Sequence, residues 1–197
     1  MYGKTKAGVG LPVLVDSSGR FIEAGGGQYR EGTVGGNQFF AFSASQNMAF
    51  YTATAAIGLI IYNPIGSGVN AVFGKWCVNV WATSATTTGI VLASQAQTIT
   101  PTTVTAATAW GKCLLTPPNF GAGKCLAYSI ATIQTAPLMV WNLVHNTAAI
   151  AITGVDNMSG DLQGAFAAGP GTVTLIGALA VASVTSNQGI MWEEVPV

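Results

Sequence analysis

Few residues in this chain have the types and the spacing that catalysis needs. A nucleophilic triad requires a base within reach of an activated serine, threonine or cysteine. His145 is the single histidine, and it follows Met139, Trp141 and Leu143 at the two-residue period of one strand face. That position is typical of a core or strand-end histidine, so the sequence does not support nucleophilic catalysis.

The carboxylates offer no pair suited to glycoside hydrolysis. They are Asp16, Glu23, Glu31, Asp156, Asp161, Glu193 and Glu194. None lies between Gly32 and Val155, where most of the sheet is expected. Glu193 and Glu194 are adjacent on a predicted strand and therefore point to opposite faces. We predict no catalytic residue and no enzyme.

Metal and phosphate sites are also poorly supported. Asp156, Asn157 and Asp161 carry oxygen ligands, but their spacing matches no full calcium loop, and an Asx-rich turn is favoured. The three cysteines are Cys77, Cys113 and Cys125. They contain no CxxC pair and are typical of buried free thiols, with a Cys113–Cys125 disulfide as the alternative. No metal and no cofactor is predicted.

The elements that would hold these residues centre on the stretch from Ile57 to Ala82. Two apolar runs flank a strong turn: Pro64 fixes φ, while Gly66 and Gly68 permit positive φ. We predict two strands joined by a tight loop and paired as neighbours in one sheet. Tryptophans on predicted strands, such as Trp76, are interpreted as core or interface packing.

The remaining pattern predicts an all-β fold. The threonine-rich run Thr98–Thr108 is broken by Pro101, which indicates an edge strand or an exposed loop. The run from Leu138 to Val144 is apolar on both faces, which predicts a central strand. Helix formers such as Glu, Lys and Arg are scarce. Short strands between Gly/Pro turns predict a jelly-roll-like β-sandwich of about eight to ten strands over residues 37–197.

Charge is the most informative feature of the composition. Only 7% of the 197 residues are charged, against roughly 25% in an average soluble domain. A free monomer needs surface charge for solubility, so such a chain is expected to hide surface against other subunits. No apolar stretch reaches the about 18 residues of a membrane span, and the net charge is zero. We therefore predict neither membrane nor nucleic-acid binding.

Residues 1–36 differ from the body of the chain. Seven of the fourteen charged residues lie in the first 31 positions, and glycines interrupt the segment. Such an arm is either a disordered tail or a segment that orders along a partner, and its apolar residues favour the second. The residues predicted to contact the partner are Tyr2, Lys4, Lys6, Val13, Val15, Arg20, Phe21, Ile22 and Arg30. The start lacks the apolar core of a secretory signal, so the cytosol is the expected compartment.

Three stretches together resemble a known family. They are the arm from Tyr2 to Asp16, the turn from Tyr62 to Asn70, and the ending from Gly169 to Pro196. This pattern is similar to virion structural proteins of tailed bacteriophages, of the small β-sandwich type that decorates or cements the capsid. The resemblance implies a jelly-roll-like fold, a homodimer or homotrimer, and binding to the major capsid protein on the capsid exterior after assembly in the host cytoplasm.

Two other functions remain open at this point. One is a receptor- or glycan-binding module of a tail fibre or spike, with exposed tryptophans as contacts. The other is a small secreted β-sandwich lectin, which the missing signal disfavours.

Overall fold

The computed structural model describes the backbone of residues 2–4, 10–12, 33, 35–113, 123–179 and 185–197. Of these, the side chains of 2–4, 10–12, 81–88 and 145–156 are outside the description. Thirteen β-strands are the regular elements of this part of the chain. The strands are β1 (Tyr2–Lys4), β2 (Gly10–Pro12), β3 (Gln38–Phe42), β4 (Gln46–Asn47), β5 (Ala55–Asn63), β6 (Val69–Ala96), β7 (Thr102–Ala106), β8 (Ala109–Lys112), β9 (Leu126–Thr132), β10 (Leu138–Asp161), β11 (Ala167–Ala168), β12 (Thr172–Ala178) and β13 (Thr185–Pro196).

The predicted all-β sandwich is confirmed, with two antiparallel layers packed against each other. The long strand β6 belongs to both layers. Its first half pairs with β13, which continues through β3 to β8 and forms the first layer. Its second half pairs with β12, which continues through β5 and β9 to β7 and forms the second layer. Four of the thirteen strands have only two or three residues, and the nine longer ones fall within the predicted number.

The main core lies between the two layers. The first layer contributes the buried side chains Phe39, Phe73, Val78, Val80, Ile190 and Trp192, and the second contributes Leu59, Ile61, Ile90, Leu92 and Ile176. The rings of Phe39 and Trp192 stack with their centroids 5.8 Å apart. Burial of this apolar surface is the main term that stabilises the sandwich.

The second layer is buried on its other face as well. A second cluster of eight buried residues includes five side chains that alternate with the core residues: Ile60, Tyr62, Ala93, Val173 and Leu175. Tyr51, Leu126 and Tyr128 pack against this cluster. Strand β5 is therefore covered on both faces and has β9 and β12 as its neighbours, which is the position of a central strand.

The predicted pairing across the Ile57–Ala82 stretch is wrong, although both strands and the turn exist. Gly66 and Gly68 have φ of 76° and 72°, as the turn requires. However, β5 pairs with β9 and β12, and no pairing with β6 occurs in the described residues. The Asn63 amide donates to the carbonyls of Val69 and Ala168 at 2.8 Å each and fixes a corner there. The turn therefore carries the chain from one layer to the other, because β12 takes the place beside β5.

Strand β10 contradicts two further predictions. It runs antiparallel to β6 over its whole length, and no second strand of the described residues pairs with it. The run from Leu138 to Val144 thus lies at an edge of the sheet instead of at its centre. Residues 155–161 continue the same strand, so the predicted Asx-rich turn is wrong as well. In contrast, β7 is the terminal strand of its layer and all five of its residues are exposed, which confirms the prediction for Thr98–Thr108.

A buried glutamine links the two layers. The Gln188 side chain on β13 accepts a hydrogen bond from the backbone N–H of Leu59 on β5 at 2.5 Å. It also donates to the Ser186 hydroxyl at 3.1 Å, and the Ser43 hydroxyl accepts from the Gln188 backbone N–H at 2.9 Å. The glutamine occupies the irregularity of β5 at Gly58, where the pairing with β9 shifts register. It satisfies a backbone donor that this shift leaves inside the core.

Candidate functional surface

The arm residues predicted to contact a partner are only partly described. Tyr2 and Lys4 lie in β1, which pairs with β2 and with no other described strand. The other seven lie outside the described residues: Lys6, Val13, Val15, Arg20, Phe21, Ile22 and Arg30. Their role in binding stays a prediction. The two-stranded sheet of β1 and β2 is separate from the larger sheet in hydrogen bonding.

Among the described side chains, four consecutive exposed apolar residues lie at the start of β10. Leu138, Met139, Val140 and Trp141 are 68%, 49%, 40% and 53% exposed. These four residues are called the β10 edge below. Consecutive residues of a strand point to opposite faces, so both faces of the strand are exposed here. Sequence reasoning missed this surface because it placed the run in the centre of the sheet.

The β10 edge also lacks charge. No Asp, Glu, Lys or Arg occurs between Lys124 and Asp156. Edge strands of natural proteins usually carry charged side chains or proline, because an open apolar edge pairs with other chains. The register of β10 on β6 shifts between Met139 and Trp141, which places Val140 at a bulge. The absence of charge over this run was the sequence signal that could have located the surface.

Trp141 is the one exposed tryptophan among those with described side chains. Its ring lies against Phe166, with 5.6 Å between the centroids and 47° between the planes. Trp76 and Trp192 are buried, which confirms their interpretation as core residues. Trp141 therefore offers one ring face beside Phe166 at the open margin of the sandwich.

A shallow cleft lies on the outer face of the first layer. Phe40 and Phe42 alternate with buried core residues of β3 and therefore face outward, and Cys77 and Met191 line the same cleft. Its volume is about 500 Å³. The ring of Phe42 lies directly over Gly189, since a Cβ there would be 2.4 Å from Cε1 of the phenylalanine. The lining is mainly apolar and includes no paired carboxylates or histidine.

The two C-terminal carboxylates do not form a site together. Glu194 is only 7% exposed, whereas Glu193 is partly exposed on the other face of β13, which confirms the predicted opposite orientation. The Glu194 carboxylate accepts hydrogen bonds from the backbone N–H groups of Lys124 and Cys125, each at 2.8 Å. The Trp192 indole N–H approaches the same carboxylate at 3.5 Å. Glu194 therefore fixes the start of the β9 segment and does not present a free carboxylate.

All three cysteines are free thiols, so the alternative Cys113–Cys125 disulfide is not formed. Burial raises the pKa of the Cys113 thiol to about 11 and also raises that of Cys77. Burial, with a further contribution from the Glu194 carboxylate, raises the pKa of Cys125. Thiolates are the reactive form, so these cysteines are expected to be poor nucleophiles.

We expect Cys113 in the folded protein to react with a thiol reagent about 100-fold more slowly at pH 8 than in the urea-unfolded chain, given a pKa near 11 against the ordinary 9.0. The Cys77→Ala, Cys125→Ala double variant isolates this thiol, and stopped-flow absorbance with a disulfide reagent measures the rate. The folded rate should rise about tenfold per pH unit up to about pH 11, whereas the unfolded rate levels off near pH 9. Equal rates in the two states would contradict the burial of the thiol.

The Cys113 thiol also makes the stability depend on pH. Because its pKa is higher in the folded than in the unfolded protein, the free energy of unfolding falls as the pH rises from 9 towards 11.

Metal and membrane signatures are missing from the described residues. Within them, no group of three or more His, Cys, Asp or Glu side chains is placed to hold a metal ion. The same part of the chain has no helix that is both long and apolar enough to cross a bilayer.

Comparisons with known proteins give no relative for this chain. No protein-family model, no curated protein and no solved structure matches it.

Proposed function

We propose that this chain is a structural subunit of a tailed-phage virion, of the cement or decoration type, which binds and stabilises the shell of the major capsid protein. The observation that carries the proposal is the β10 edge: an apolar strand, exposed on both faces and uncharged, at the margin of a sandwich. Such an edge is a template for pairing with another chain. A protein whose task is permanent packing needs this kind of surface.

The scarcity of charge supports the same function. Obligate subunits bury roughly 2,000 Å² or more in their interfaces, and these interfaces are more apolar than other protein surfaces. With 7% charged residues, much of the surface of this chain is suited to such contacts. We place the subunit on the capsid exterior, with the major capsid protein and further copies of itself as partners and without nucleic acid or membrane.

The arm is proposed to extend the contact with the shell. Its strands β1 and β2 pair with each other and with no strand of the larger sheet in the described residues. Docking of β1 and β2 on a neighbouring capsid protein would therefore break no strand pairing that is described for the sandwich. Four of the seven lysines and arginines occur in residues 1–36 and three in the rest of the chain. The arm is therefore richer in positive charge than the sandwich domain.

We expect deletion of residues 1–36 to weaken binding to capsids at least tenfold. Capsids of the phage that encodes the chain, stripped of it, are mixed with the full chain or the deletion variant, and co-sedimentation gives the affinity. Far-UV circular dichroism checks that the sandwich persists. Undiminished binding would remove the arm from the interface. An antibody against this chain should label the capsid of intact virions. Labelling of the tail instead would overturn the proposed function.

A second candidate is a glycan- or receptor-binding module of a tail fibre or spike, and the exposed Trp141 beside Phe166 favours it. Aromatic rings with one free face can stack on apolar faces of a ligand. A glycan-array signal that disappears in Trp141→Ala and persists in Ile65→Ala would favour this candidate. Ile65 is a suitable control because it is 62% exposed on the turn after β5.

A further inference from the structure

The position of β10 conflicts with its composition. Its first residues have the sequence of a central strand, yet only one neighbouring strand, β6, pairs with it in the described part of the chain. Strand β5 has a similar composition and is covered on both faces between β9 and β12. Within the described residues, β10 therefore has one paired neighbour where β5 has two.

We propose that the missing neighbour is the β10 edge of a second copy, paired antiparallel across a twofold axis. In such a pair, any contact that residue i of one copy makes with residue j of the other is repeated between residue j of the first copy and residue i of the second. Two identical apolar edges can therefore complement each other. Any edge meets other copies of itself throughout synthesis and folding, and charged side chains are one of the protections against this pairing. This edge has none from Lys124 to Asp156, and the zero net charge of the chain adds no long-range repulsion.

The area is sufficient for a reversible dimer. Ile99 is 54% exposed and follows Thr98, whose hydroxyl donates a 2.7 Å hydrogen bond to the side-chain oxygen of Gln134, four residues before β10 begins. Together with the β10 edge it exposes roughly 500 Å² per copy, backbone included, so a symmetric pair buries at most about 1,000 Å², at the lower limit of specific interfaces. Backbone hydrogen bonds between the two edges add to this. A contact of this size is expected to be weak and reversible.

This inference rests on the proposed structural function and names the self-partner, but it is measured without any capsid. Sedimentation velocity of the full chain from about 1 to 100 μM should show a reversible monomer–dimer equilibrium of the 20.1 kDa chain. Leu138→Lys should raise the dissociation constant at least tenfold, because it replaces an apolar contact in each copy with an ammonium group that the pair would have to desolvate. Ile65→Lys is the matched control: it adds the same charge at a similarly exposed position, 62% against 68%, and should leave the equilibrium unchanged.

Cross-linking gives a second readout that does not depend on loss of binding. Val140 lies in the middle of the β10 edge, so Val140→Cys should give a covalent dimer under mild copper-catalysed oxidation, whereas Ile65→Cys should stay monomeric. A wild-type chain that is monomeric at 100 μM, or equal effects of the two lysine variants, would overturn the inference. A monomer that still binds capsids would overturn the inference alone and leave the proposed function in place.

Discussion

Replacing Gly58 by alanine is expected to lower the free energy of unfolding by about 3–5 kcal/mol. Gly58 has φ of 144°, a conformation that residues with a side chain rarely adopt. A Cβ at this position would be 2.7 Å from the carbonyl oxygen of Ile176 and 3.0 Å from the side-chain oxygen of Gln188. The substitution therefore strains the backbone and pushes against the hydrogen bond that Gln188 accepts from Leu59.

Gly66→Ala is the matched control for this prediction. Gly66 also has positive φ, 76°, but nothing lies within 4 Å of its Cβ position. Only the conformational cost applies, and the expected loss is about 1–2 kcal/mol. Urea unfolding followed by tryptophan fluorescence gives both values. Equal losses for the two variants would mean that the close contacts at Gly58 do not contribute.

Glu194→Ala is expected to lower the free energy of unfolding by about 2–4 kcal/mol. The substitution removes the acceptor of the Lys124 and Cys125 backbone N–H groups, and it leaves the buried donor of Cys125 without a partner. Glu194→Gln should show a smaller loss, because its amide oxygen can still accept one of the two bonds. Thermal and urea unfolding measure the series.

Glu193→Ala serves as the control on the same strand. Glu193 is partly exposed on the other face of β13, so we expect a loss below about 1 kcal/mol. The order Glu194→Ala, Glu194→Gln, Glu193→Ala, from largest to smallest loss, is the expected result. A Glu193 variant as unstable as Glu194→Ala would contradict the assignment of Glu194 as the anchor of the segment before β9.

Local chemistry allowed several features to be predicted. The alternation of apolar residues and the lack of helix formers gave the all-β class, and Pro64, Gly66 and Gly68 located a turn. Pro101 and the threonines around it identified an edge strand, which is β7. These features depend on the φ/ψ preferences and hydrogen-bonding capacity of a few neighbouring residues, and such preferences act before any long-range contact forms.

The strand pairing could not be predicted in the same way. The turn after β5 has the composition of a hairpin loop, yet it carries the chain across to the other layer. The composition of a turn fixes the local direction of the chain but not which strand fills the place beside β5. That place is taken by β12. Its first residue, Thr172, pairs with the last residue of β5, Asn63, and is 109 positions further along the chain.

The β10 edge could likewise be predicted only in part from the sequence. By itself the sequence determined that the run from Leu138 to Val144 is an apolar strand without charge and that the chain has few charges to keep it soluble alone. Only the tertiary structure decided that this strand lies at an edge, because burial depends on which neighbours are present and not on the apolar side chains themselves. The apolar residues of β5 are thus covered, whereas the four apolar residues that begin β10 are exposed. The difference makes β10 the surface through which this protein is proposed to assemble.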